Sequence, residues 1–390
     1  MSTIVIQGDT SGSITVEAPS VAGTHTLTLP KATGNIATDA TVGLGTKNLI
    51  INGNMQIAQR GTSATGITIG GYFVQDRWLA QQSGSGTWTQ SQEADAPEGF
   101  ASSMKWECTT AVPSPIANSY MFIQQKIEGY NLQQLKYGTA NAESLTLSFW
   151  VKSNQIGTYQ INILGLLAPA TNPMISTTYT IDAANTWEKK TWVIPGYTPD
   201  SIPNDNTEGL RLEYTLNVGS DFASGTFNSS WGTFDNADRG VNQGVQLADT
   251  VSNYINITGV QLEVGENATP FEHRMYSQEL AMCQRYCYKI GGDSSAYTPF
   301  SMGTSYNTVG GNALVNYPVA MRATPTMTPT YPIRSLNGGA TRAVSAVSFS
   351  QGGATTAYID YQTTTTTSGQ AVMLTADGNT ASNLLFSAEL

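Results

Sequence analysis

Nucleophilic and acid–base chemistry need a base beside a nucleophile, and this chain has little of either. Its two histidines, His25 and His273, are far apart: one sits in an N-terminal strand pattern, the other at the entrance to a helical pattern, where hydrogen bonding is the expected role. Cys283 and Cys287, four apart on a helical face, are two metal ligands at most, because a zinc site needs four donors and no further Cys or His lies near them. They read instead as small apolar residues of a buried stripe. With Cys108 they make three cysteines, too few for a disulfide framework and in keeping with synthesis in a reducing cytosol. The 28 Asp and Glu residues contain no motif that singles out the carboxylate pair, about 5–9.5 Å apart, used in glycoside hydrolysis. Two loops, NDNTEG with Asp205 and FDNADRG with Asp235 and Asp238, have the oxygen-rich, Gly-closed look of calcium loops without the EF-hand spacing. Turn chemistry accounts for the same residues. A structural Ca²⁺ is therefore the one cofactor left open.

Aromatic side chains are the remaining candidates, because sugars stack their apolar faces on Trp and Tyr while their hydroxyls seek amides and carboxylates. Trp231, in NSSWGTFDN, stands in a loop-like setting and reads as a stacking platform, with core packing as the competing role. Trp150 falls on the phase opposite the Leu-rich face of its strand, and Trp192 shares the phase of Ile194, which points it toward a core. Tyr331, Tyr358 and Tyr361 lie among Thr, Gly and Ser with few charges, a composition suited to adaptable contacts.

The bulk composition narrows the partners. Charged residues make up 12% of 390 and the net charge is −10, so a phosphate backbone, which needs a basic stripe, is excluded as a partner. The start, MSTIVIQGDT, has neither the charged nor the apolar region of a signal peptide, and no later run approaches the 18 or so apolar residues of a spanning helix. Membrane insertion is not expected.

The elements that must position these residues are strands. Residues 1–46 hold short β-prone runs, IVI, SITVEAP and THTLTLP, too few to bury a core alone, and read as an arm that needs partners. From 47 to 274 the alternation is clean. Leu145, Leu147, Phe149 and Val151 form one inward set, and Leu210, Leu212, Tyr214, Leu216 and Val218 another. Such strands, separated by Gly, Asn and Pro, predict an antiparallel jelly-roll β-sandwich. In its closing strand the phase slips between Ile257 and Val260, and Gly259 at the slip reads as a bulge. Over 275–290 the spacing of Leu280, Cys283, Cys287 and Ile290 predicts one amphipathic helix of about 14 residues, capped by Ser277 and stopped near Gly291. Residues 291–390, β-prone again but Gly- and Thr-rich, read as a separate small β tip domain. The expected fold is all-β with one connecting helix.

Several runs together resemble a bacteriophage tail-fibre or receptor-binding protein: NLIINGNMQIAQRG, DRW at 76–78, QKIEG, LTLSFWVKSNQIGTY, NTWEKKTWVIPG, GVQLEVGENATPFEHR, ELAMCQRY, MRATPT and SAEL. Within that type, 48–274 is similar to a carbohydrate-binding-module-like jelly roll, whose members often open near NLIxNGxF and close near VQLE. Met55 departs from the aromatic that such modules often carry there, so no sugar site is implied at that position. The resemblance implies a virion fibre that is a homotrimer, held to a tail or capsid protein by its N-terminal arm and reaching a host-surface glycan with its C-terminal end. A purely structural fibre or decoration protein is the nearest alternative, and a polysaccharide depolymerase the alternative from another class.

Overall fold

The run LTLSFWVKS becomes the strand its alternation predicts, Leu145–Ser153, with Leu145, Leu147, Phe149 and Val151 all buried. In this computed structural model residues 3–7, 13–17, 47–167, 172–293 and 295–390 are described. The chain divides into two compact units, Met1–Thr46 and Lys47–Leu390. In the first, Thr3–Gln7 pairs antiparallel with Ser13–Glu17. THTLTLP and His25 lie outside the described residues.

In the larger unit the inward sets meet across two antiparallel sheets. A seven-stranded sheet runs in the order Gly232–Thr233, Pro173–Ile181, Gly157–Gly165, Glu208–Val218, Tyr120–Glu128, Leu79–Ser83, Gly71–Tyr72. A six-stranded sheet runs Glu188–Ile194, Leu145–Ser153, Tyr254–Val264, Ser103–Thr110, Thr87–Glu93, Ser63–Ile67. The chain crosses repeatedly from one sheet to the other, as in a jelly roll. Phe149 of one sheet meets Tyr214 of the other edge to face at 5.2 Å, in a core that also holds Leu147, Leu210, Leu212 and Leu216. Met55, in the irregular opening segment, is fully buried in this core. The closing strand has its register shift between Thr258 and Gln261, with Gly259 at φ +61°, the bulge read from the sequence.

The helix is shorter than its spacing predicts. It spans Tyr276–Gln284, begins after Met275 rather than at Ser277, and ends before Cys287. Cys287–Gly291 is a strand paired with Asn383–Ser387, which also pairs with Thr326–Thr330. On a strand Cys287 and Ile290 point to opposite faces, so the expected stripe divides. Cys287 is buried, and Ile290 packs into the C-terminal core. A 3-4-3 spacing cannot report a strand partner almost a hundred residues downstream.

The remaining strands close a six-stranded barrel: Pro299–Ser305, Gly310–Asn316, Thr356–Thr363, Ala340–Gly352, Ile333–Asn337 and Ala371–Ala376. It belongs to the same compact unit as the sandwich, and buried charges join the two. Arg77 and Arg60 both pair with Glu389, Arg285 pairs with Glu128, and Arg322 exchanges hydrogen bonds with Asn206.

Candidate functional site

Trp231 is fixed by the loop that edges the seven-stranded sheet. Gly232–Thr233 pairs with Pro173 and Met174, and the Phe234 amide donates to the Asn172 carbonyl at 2.8 Å. The indole Nε1 donates to the Pro195 carbonyl at 2.7 Å, which ties this edge to the segment after Glu188–Ile194. Tyr197, two residues on, meets the indole edge to face at 5.3 Å, and Tyr137 stands behind both at 6.2 Å from Trp231 and 6.4 Å from Tyr197. Tyr137 is 4% exposed, its hydroxyl has no partner among the described residues, and burial pushes its pKa well up. Gly196 allows the close approach, because a Cβ there would run into the backbone of Ala142 and Glu143.

In front of this cluster is an open cavity of about 500 Å³, lined by Trp231, Tyr197, Phe234, Pro173 and Pro199, with Asn172 and Thr233 as polar members. Trp231, Tyr197 and Phe234 are half-buried, so each keeps surface toward the opening. None of the lining residues is charged. The arrangement is three rings, two prolines and a few hydrogen-bonding groups in a volume typical of small-molecule sites. It suits stacking of a neutral sugar ring, and it places no carboxylate pair for acid–base work. A second depression of about 400 Å³, between Thr158, Thr178 and 241–244, has no aromatic ring.

The structure does not gather the other expected residues at this cavity. Tyr361 is fully buried inside the barrel, where its hydroxyl pairs with Ser305 Oγ at 2.9 Å and the absence of a side chain at Gly311 makes room for it. It is a core residue and not a contact. Tyr331 is 40% exposed, and its hydroxyl accepts the Val347 amide. Tyr358, 48% exposed, is on the barrel's outer wall. Trp192 packs on the sandwich core. Trp150 is half-buried over the bulge, near where a Cβ on Gly259 would stand. His273 packs tilted against Phe100 at 5.3 Å and edge to face with Phe271 at 4.9 Å, a packing role.

The three aspartates of the calcium reading take part in turn and loop hydrogen bonds. Asp205 accepts from the amide and hydroxyl of Thr207, contacts that hold its carboxyl below the usual range. Asp235 caps a short 3₁₀ turn through the Ala237 amide. Asp238 is buried and accepts from the Thr226 amide and Asn228. Among the described residues no group of three or more His, Cys, Asp and Glu is placed to hold a metal ion.

Tyr197 and Phe234, which complete the cavity, escaped the sequence reading. Their only local signal is position, GYTP after a predicted strand and WGTF beside Trp231.

No protein-family model matches the chain, and no curated protein matches it. Among solved structures, the enzymatically active domain of tailspike protein 4 of bacteriophage CBA120 is similar over 56% of this chain and 21% of that one, at 15% identity and TM-score 0.32. A family 4 carbohydrate-binding module is similar over 55% of this chain and 97% of its own, at 15% identity and TM-score 0.26. The C-terminal family 22 carbohydrate-binding module of Clostridium thermocellum Xyn10B is similar over 50% and 89%, at 13% identity and TM-score 0.28. These are loose, partial likenesses.

Proposed function

We propose that the protein is a virion attachment protein of tail-fibre type that binds a host-surface glycan, with the Trp231 cavity as a sugar-binding site. The observation that carries the glycan part is the uncharged cavity walled by Trp231, Tyr197 and Phe234. The virion part is supported by the sequence runs that resemble phage fibres. With it come three further proposals: a homotrimer, a tail or capsid protein as the partner of residues 1–46, and location in the virion. Single sugar contacts are weak, on the order of millimolar, so several copies on one particle would give durable attachment through effective concentration.

The test is binding of purified protein to host envelope polysaccharide, with Trp231→Ala as the comparison. Removing a stacking ring is worth roughly 0.5–1.5 kcal/mol, so the variant is expected to bind about two- to tenfold weaker while its melting curve stays cooperative. Equal binding by the variant, or no binding by the parent, overturns the reading. New reducing ends in the same incubation would show cleavage and move the protein to the depolymerase class.

A further inference from the structure

A second cleft lies where the three-stranded sheet of Cys287–Gly291, Asn383–Ser387 and Thr326–Thr330 faces the edge of the sandwich. Register puts Lys289, Leu385 and Thr328 in one row across this sheet, with Asn383 and Thr330 in the next. The opposite face of the same sheet, with Ile290, Leu384 and Phe386, packs into the barrel core. Across from the row stand Tyr72, Phe73 and Arg60, and the open cleft between them has a volume of about 270 Å³, room for a single sugar ring.

The groups in this cleft differ in how far the protein already uses them. Arg60 is balanced by Asp76 at 3.5 Å and Glu389 at 3.1 Å, and the Tyr72 hydroxyl donates to the Leu390 carbonyl. Lys289 makes no ion pair or hydrogen bond with any described residue, and neither do the hydroxyls of Thr328 and Thr330. Asn383 donates its amide to Ala381, leaving its carbonyl oxygen as an acceptor. Asp293, the carboxylate on the following loop, accepts from the Ser295 amide and the Thr298 hydroxyl, and these with the more distant charge of Lys289 hold it below the usual carboxylate range. An ammonium with no ion-pair partner within contact distance, two hydroxyls without a hydrogen bond and an amide oxygen thus line the cleft opposite Phe73 and Tyr72, whose ring also carries the Arg60 guanidinium at 5.4 Å. The Trp231 cavity is lined by no charge at all.

We infer that this cleft is a second saccharide site, selective for a sugar that carries a carboxylate, such as a uronic acid. The ring lies against Tyr72 and Phe73, the carboxylate pairs with Lys289, and the hydroxyls meet Thr328, Thr330 and Asn383. The inference does not depend on the Trp231 reading, because the two cavities share no residue.

The experiment titrates the full chain with oligoglucuronide and with the matching neutral oligoglucoside, following binding by calorimetry or by ligand NMR. Oligoglucuronide is expected to bind the parent and to weaken as salt rises. Lys289→Gln is expected to lose about tenfold or more, since it removes the charge-assisted hydrogen bond to the carboxylate. Lys289→Arg should retain binding. Lys289 is partly exposed, so melting curves of both Lys289 variants should overlay the parent's. The same salt dependence for both oligosaccharides, or unchanged oligoglucuronide affinity in Lys289→Gln, overturns the inference.

Discussion

Asp76 shows how much one buried side chain can govern. It is fully buried and accepts from Gln59 and Arg60, yet burial outweighs these partners and its pKa is pushed up to about 7. The folded chain therefore keeps a proton that the unfolded chain has already lost. This contribution to stability is complete below about pH 4 and falls away as pH rises to about 7, at about 1.4 kcal/mol per pKa unit. Urea denaturation across that window should show the parent losing ground to Asp76→Asn as pH rises. Parallel curves for the two proteins would contradict it. Glu213 goes the other way: fully buried, it is held below the usual carboxylate range by Arg239, and Arg239 in turn lies over the Phe122 ring at 3.7 Å. Its stabilisation is lost as pH falls, which is why the comparison with Asp76→Asn, and not the parent's curve alone, isolates the first effect.

Among elements, the closing strand Tyr254–Val264 depends most on a single residue. Gly259 adopts φ +61°, and a Cβ there would stand 2.7 Å from the Phe100 ring and 3.0 Å from Trp150. Both the backbone conformation and the packing require glycine at this bulge. Gly259→Ala is expected to cost about 1–3 kcal/mol, visible as a lower urea midpoint with an unchanged slope. A midpoint equal to the parent's would show that the bulge can relax. The element misjudged from sequence is the helix. Its cysteines fit a helical face by spacing, but Asn383–Ser387 offers Cys287–Gly291 a strand partner, and pairing wins because the Tyr288 and Ile290 side chains then enter the barrel core.

At the scale of the molecule, sandwich and barrel are joined by buried charge. Arg77 is 1% exposed, lies over the Tyr286 ring at 3.5 Å, and pairs with Glu389, which also pairs with Arg60. Glu389→Gln leaves Arg77 without its counter-charge, expected to cost about 3–5 kcal/mol in urea denaturation. A loss under 1 kcal/mol would refute it. A truncation at Gly291 removes the same carboxylate, so single substitutions locate recognition more cleanly than deletions. The proposed trimer has a candidate surface in the barrel wall. Cross-strand register aligns Leu336, Met373, Met302, Leu314 and Tyr358 on five neighbouring strands, with Met302 69% exposed. An uncharged row of Met, Leu and Tyr has the composition of an interface core, and other copies of the chain covering it in closed cyclic symmetry would prevent open-ended association. Light scattering should give three times 41.6 kDa, reduced in Leu314→Lys; a stable monomer of the parent would overturn it.

The all-β class, the inward faces of the main strands, the Gly259 bulge and the candidacy of Trp231 are legible in the order of residues alone. These rest on period-two alternation and on local backbone demands, which neighbouring residues encode. The rest follows from packing in three dimensions. That packing put Tyr197 beside Trp231, buried Tyr361, made Cys287 part of a strand, and brought Lys289 opposite Tyr72. Each of these depends on a contact between segments distant in the chain, and such a pairing leaves no periodic trace in either segment alone.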